Sequence, residues 1–116
     1  MQYIALIYGD QAAWDAKSPE DRKDTYEAYA AFAQEVSARG AMRGGSELQS
    51  PTTATTVRVR GDETLVTDGP FAETKEQLGG YFVLDCESLD DAIELAAKIP
   101  AARNGGAVEV RPVVER

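Results

Sequence analysis

The chain has 116 residues, 43% of them apolar, which is enough for one domain with a real core, too short for two, and inconsistent with wholesale disorder. Twenty acids against twelve bases leave a net charge of −8, with no basic run longer than Arg58-Val59-Arg60, which argues against a nucleic-acid binder. Histidine is absent, so Ser-His-Asp or Cys-His catalysis and any His-based zinc or iron site within one chain are excluded, and acid/base work falls to Asp, Glu, Lys, Tyr or Cys.

Tyr3 to Tyr8 is an apolar run that ends at the turn signal Gly9-Asp10. Its apolar residues fall on both parities, so both faces are expected to be buried, as in a central strand. Ser18-Pro19-Glu20-Asp21 then starts a helix, with a capping Ser, a Pro suited to the first position, and two acids at the positive end. Tyr26, Tyr29, Ala30, Ala33 and Val36 recur at helical spacing with Phe32 beside them, giving one apolar stripe from about Pro19 to Arg39 before Gly40. A second strand is expected within Ala41–Leu48, weakened or bulged at Gly44-Gly45, and Gln49–Ala54 reads as loop.

Thr55–Arg60 and Thr64–Thr67 flank the turn Gly61-Asp62-Glu63 and pair as a hairpin. After the corner Asp68-Gly69-Pro70-Phe71, Gly80–Cys86 is another strand apolar on both parities. Ser88-Leu89-Asp90-Asp91 starts a shorter helix, with a stripe of Ala92, Ile93, Ala96, Ala97 and Ile99, which Pro100 ends. Arg103–Gly106 reads as loop and Ala107–Val113 as the last strand, with Glu109 and Arg111 on one face.

The order is β-α-β, hairpin, β-α-β within a single domain over 1–116. It predicts an α+β, ferredoxin-like antiparallel sheet with two helices on one face and an inserted β-hairpin. Helices on one face leave the second apolar face of the central strands uncovered, and a second copy of the chain is the economical cover. The expected partner is therefore the chain itself, as a homodimer through sheet faces. No run approaches the roughly 18 apolar residues of a membrane helix, no basic leader precedes the opening run, and Cys86 has no disulfide partner. A cytoplasmic protein with no membrane partner is expected.

The segments "YIALIYGDQAAW", "TTVRVRGDETLVTDGPFAETKEQLGGYFVLDC" and "IPAARNGGAVEVRPVV" resemble the YCII-related superfamily, in the branch named for its Asp-Gly-Pro-Phe motif, the DGPF domain. The resemblance covers essentially the whole chain and implies a dimeric α+β barrel. Some members of that branch occur beside, or fused to, sigma factors of the extracytoplasmic type. A His-Asp pair proposed as catalytic in the wider superfamily does not transfer to a chain without histidine; only the acidic partner remains, with Asp68 as candidate. Related dimeric barrels include monooxygenases and muconolactone-isomerase-like proteins, an analogy of fold alone.

Asp68 is thus the catalytic candidate, and the alternative is that its carboxylate caps the turn before Gly69-Pro70, where a residue preceding Pro is biased to extended backbone. Candidates for a ligand pocket are Tyr8, Arg43, Phe71, Glu73, Lys75 and Tyr81. Each has a structural alternative: interface packing for the tyrosines, a peg at the corner for Phe71, and solvated or paired charges for Arg43, Glu73 and Lys75. Lys75 would serve as an anion anchor in the functional case. Gly79-Gly80 points to close strand packing, and Cys86 to a small buried hydrophobe. The expected function is a small-molecule-handling homodimer with a cleft between the sheet and Asp68–Lys75, an enzyme without cofactor or metal; the alternative is a non-enzymatic ligand-binding or regulatory module linked to extracytoplasmic-function sigma-factor control.

Overall fold

A computed structural model describes all residues from Met1 to Arg116. The elements in order are β1 (Gln2–Gly9), α1 (Gln11–Asp15), α2 (Pro19–Ala38), β2 (Met42–Glu47), a 3-10 turn (Pro51–Thr53), β3 (Thr55–Arg60), β4 (Glu63–Asp68), β5 (Gln77–Asp85), α3 (Leu89–Ala96), α4 (Pro100–Arg103) and β6 (Ala107–Pro112). β2-β5-β1-β6 form one antiparallel four-stranded sheet, the ferredoxin-like order, and β3-β4 form a separate two-stranded sheet. The helix starts follow the capping signals. Ser18 Oγ accepts from the Asp21 N–H at 3.1 Å and Ser88 Oγ accepts from the Asp91 N–H at 3.2 Å.

The core lies between the helices and one sheet face. Tyr3, Ala5 and Leu84 from the sheet pack with Phe32 and Val36 of α2, and with Ala92, Leu95, Ala96 and Ile99 of the second helical segment. Ile4, Leu6, Tyr8, Tyr81 and Val83 point to the opposite face and are half-buried. So the strand parity was informative, but within one chain only one face is sealed.

Several expectations are corrected. Only Phe32 and Val36 of α2 reach the core fully; Tyr26 is 48% exposed, because it faces an open cleft rather than the packed sheet. In α3 the buried positions are Ala92, Leu95 and Ala96, whereas Ile93 lies one step round the helix and is exposed. Pro100 does more than end a helix: it takes the first position of the single-turn α4, which also absorbs Arg103. Asp10 opens a short helix, α1, that hydrophobic periodicity did not show, by accepting from the Ala12 N–H at 3.0 Å.

The hairpin turn is Gly61-Asp62, with Glu63 already paired to Arg60, and Gly61 takes φ +64 as a mirror-image two-residue turn requires. At the corner, Gly69 is not extended but has φ +100, a conformation that excludes side chains. The corner is held from β3: the Gly69 N–H donates to Ala54 O and Thr56 Oγ1 donates to Gly69 O, both at 2.8 Å.

Candidate ligand cleft

At one end of the sheet, four elements leave an open cleft of about 820 Å³. β1 delivers Tyr8 there, and the Asp10 cap turns the chain into α1, which carries Trp14 to the rim. Arg22 of α2 ties α1 down, donating to Asp15 O at 2.9 Å with its guanidinium 5.7 Å from the Trp14 ring centre. The middle of α2 supplies Tyr26, Tyr29 and the small Ala30 and Ala33, whose short side chains leave the space open. The end of β2 brings Glu47, and β5 brings Gln77 at its start and Tyr81 at its middle.

A second cleft of about 620 Å³ adjoins the first, sharing Tyr8, Leu48, Gln49, Ser50, Gln77 and Leu78. Its far wall is the corner segment, through Pro70, Phe71, Ala72 and Thr74. Gln77 shapes that wall. Its Nε2 donates to Thr74 O at 2.7 Å and to Ala72 O at 3.2 Å, so one side chain clamps the loop between Phe71 and β5. The loop is neither extended nor a helical turn, because this clamp replaces regular backbone pairing.

The larger cleft is aromatic and acidic. Trp14 and Tyr26 meet edge to face with ring centres 5.4 Å apart. The Tyr26 hydroxyl donates across the cleft to Glu47, at 3.1 Å to Oε2 and 3.4 Å to Oε1. Loss of water around the hydroxyl, followed by that hydrogen bond and the Glu47 charge, raises the Tyr26 phenol above its ordinary value. Tyr29 is raised as well, chiefly by burial. Both are neutral hydroxyl donors at physiological pH. The carboxylates of Asp10 and Glu47 line the cleft, and no Lys or Arg side chain does.

The residues singled out from sequence fall into two groups. Tyr8 lines both clefts, Tyr81 the larger and Phe71 the smaller, with Phe71 77% exposed under the Arg58 guanidinium at 5.2 Å. The other four lie outside both. Arg43 sits at the opposite end of β5, donating to Asp85 Oδ2 at 2.9 Å and to Gly40 O at 2.8 Å. Asp68 ends β4 with an exposed side chain, and the hydrogen bonds that hold its corner come from Ala54 and Thr56. Glu73 and Lys75 are exposed on the loop. Glu109 and Arg111 pair with each other on the open sheet face, and Cys86 is buried.

Trp14, Tyr26, Tyr29, Glu47 and Gln77 were not legible as cleft residues. The tyrosines match the helical apolar stripe, so periodicity assigns them to the core. Glu47 and Gln77 are ordinary strand-end polar residues until the topology places β2 beside β5. The usable signal was the cap at Asp10 three residues after an apolar Ile7, with the chain's one Trp four residues further on.

A family model described as the YCII-related domain matches residues 1–116. An uncharacterized protein of Rhizobium meliloti (strain 1021) is 38% identical over 114 residues, covering 97% of this chain and 92% of the relative. Among solved structures, the 5-chloro-2-hydroxyhydroquinone dehydrochlorinase of Burkholderia phenoliruptrix AC1100, in complex with 2,5-dihydroxybenzoquinone, superposes with a TM-score of 0.56 at 17% identity, covering 100% of this chain and 96% of the other. At that identity the likeness speaks for the α+β fold alone. A family match over every residue, with a full-length relative, is decisive: the chain belongs to the YCII-related family.

Proposed function

We propose that the protein is a small-molecule-handling homodimer of the DGPF branch, with its ligand in the cleft between α1, α2 and the β1-β5-β2 end of the sheet. The observation that carries this reading is the cleft itself. It has about 820 Å³ of space, within the range of metabolite sites, and aromatic walls on which Asp10, Glu47 and Gln77 converge. The smaller cleft extends it to the Asp-Gly-Pro-Phe corner, so the motif contributes a wall, through Pro70 and Phe71, rather than a charge. Glu47 is the acceptor best placed to exchange a proton with a ligand, because Tyr26 orients it from the opposite wall. The dehydrochlorinase with the same fold supports an enzyme acting on a small molecule there.

The test uses the chain's one Trp, Trp14, as a reporter inside the site. A metabolite panel is screened by thermal shift, and hits are titrated by Trp14 fluorescence. The reading expects saturable quenching and a raised melting temperature, since a ligand at 100 times its Kd stabilises by about 2.7 kcal/mol. Ala33→Phe, which fills the cleft from α2, should abolish both effects. Hits unaffected by Ala33→Phe, or no hit from the panel, would overturn it.

A further inference from the structure

We infer that the ligand of this cleft is an organic cation, a protonated or quaternary amine seated between the aromatic rings and Glu47. The inference rests on the small-molecule reading of the same cleft and adds the class of the ligand.

Three observations converge on it. The first is the sign of the walls: Asp10 and Glu47 line the larger cleft, Glu76 the smaller, and none of the chain's twelve basic residues lines either. An anionic ligand would meet those carboxylates with Arg22, bound to the carbonyls of Trp14 and Asp15, as the nearest cation, inside a chain of net charge −8. The second is the ring geometry. Trp14 and Tyr26 meet edge to face at 84°, and Tyr29 of α2 lines the same space. A cation within about 6 Å of such ring faces is attracted by their quadrupoles, and aromatic cages recognise ammonium groups in this way. One cation already rests against these rings, since the Arg22 guanidinium lies 5.7 Å from the Trp14 ring centre and donates to the carbonyls of Trp14 and Asp15.

The third observation is the state of Glu47. Its carboxylate accepts from Tyr26 alone, at 3.1 and 3.4 Å, leaving acceptor capacity free. Asp10 has one oxygen committed to the Ala12 N–H. Glu47 is therefore the principal countercharge and Tyr26 its positioning residue.

The experiment compares ligands of similar size and different charge by Trp14 fluorescence at pH 7: phenethylamine, benzyltrimethylammonium, 2-phenylethanol and 3-phenylpropionate. The two cations should bind at least tenfold tighter than the alcohol, and 3-phenylpropionate weakest of all. Glu47→Gln should weaken the cations at least tenfold and leave the alcohol within twofold. Because Glu47 is exposed, the variant should fold, which circular dichroism verifies. Tyr26→Phe should weaken the cations less, by about two- to fivefold, as the carboxylate loses its orientation. Equal or tighter binding of 3-phenylpropionate, or cation affinity unchanged in Glu47→Gln, would overturn the cation class while leaving the small-molecule site standing. No saturable response to any of the four would also overturn it, and the small-molecule reading would then be judged by the metabolite panel and Ala33→Phe.

Discussion

The glycine doublet Gly79-Gly80 contains one residue the fold cannot replace and one it can. A Cβ on Gly80 would stand 2.9 Å from Ser46 O and 3.5 Å from the Glu47 Cα, both backbone atoms of the neighbouring strand β2. A Cβ on Gly79, the extra residue where the β1–β5 register shifts, meets nothing nearer than Ile7 O at 4.0 Å. Neither residue has a positive φ, so Ala is conformationally acceptable at both and only space differs. To restore ordinary contact at position 80, β2 must retreat by roughly 0.5 Å while still pairing with β5. Overpacking of this kind costs about 1–3 kcal/mol. At about 2.1 cal/mol/K per residue of unfolding entropy, 1 kcal/mol corresponds to about 4 °C for 116 residues. Gly80→Ala should therefore melt about 4–12 °C below the wild type. Gly79→Ala should range from a negligible loss to a gain of about 1 kcal/mol through the unfolded chain. Calorimetry at one fixed protein concentration makes the comparison. Equal melting temperatures for the two variants would refute the account of why the doublet is there.

Two further predictions concern charge and burial. Glu35 is held below its usual carboxylate range, first by the hydrogen bond from Lys98 Nζ at 2.9 Å and then by the charges of Lys98 and Arg39. A depressed folded pKa means that its stabilisation is present above the unfolded value of about 4.3 and is lost as pH falls through the folded pKa. The melting temperature of Glu35→Gln should thus lie below wild type at pH 7, and the gap should shrink as pH falls below about 4.3; a gap that stays constant through acidification would contradict the assignment. Cys86 is 7% exposed, and burial, then the Asp91 and Asp85 carboxylates, pushes its thiol up. Its reaction with a disulfide reagent at pH 8 should be at least about tenfold slower than in denaturant, and a rate equal to that of the unfolded chain would contradict the burial.

How much of this was legible depends on whether the signal was local. Caps, turns and strand parity are short-range, so Ser18, Ser88, the turn Gly61-Asp62-Glu63 and the apolar residues on both parities of β1 and β5 were enough for the element order and the ferredoxin-like topology. The cleft is not local. Tyr26 and Glu47 are 21 residues apart, and their meeting depends on α2 crossing the end of β2. Helical periodicity gives Tyr26 the same apolar signature as Val36, and only the packing of the helix decides that one opens onto a cleft and the other is covered. The motif and the family's acidic partner drew attention to Asp68, whereas the corner needs Gly69 for its φ and places Phe71 on the wall of the smaller cleft.

The homodimer we propose can be argued from area. Four strands about 4.8 Å apart and about seven residues long present a face of roughly 19 by 24 Å, or about 460 Å² per protomer. Two such footprints, about 920 Å², fall short of the roughly 1,200–2,000 Å² of a stable interface. The sheet face carrying Ile4, Leu6, Tyr81 and Val83 is therefore not enough alone. The missing area is available on the hairpin. Val57, Val59 and Val66 share one of its faces and are 59%, 68% and 63% exposed, on a two-stranded sheet that would be marginal by itself. The Cα radius of gyration of 16.0 Å, against about 13 Å for a compact chain of this length, shows how far the molecule spreads. Light scattering should give twice the 12.5 kDa chain mass at micromolar concentration. Leu6→Lys, at the sheet centre, and Val59→Lys, on the hairpin, should each weaken dimerisation at least 100-fold, about 2.7 kcal/mol. A dimer sensitive to Leu6→Lys and indifferent to Val59→Lys would remove the hairpin from the interface, and a monomeric wild type would remove the dimer.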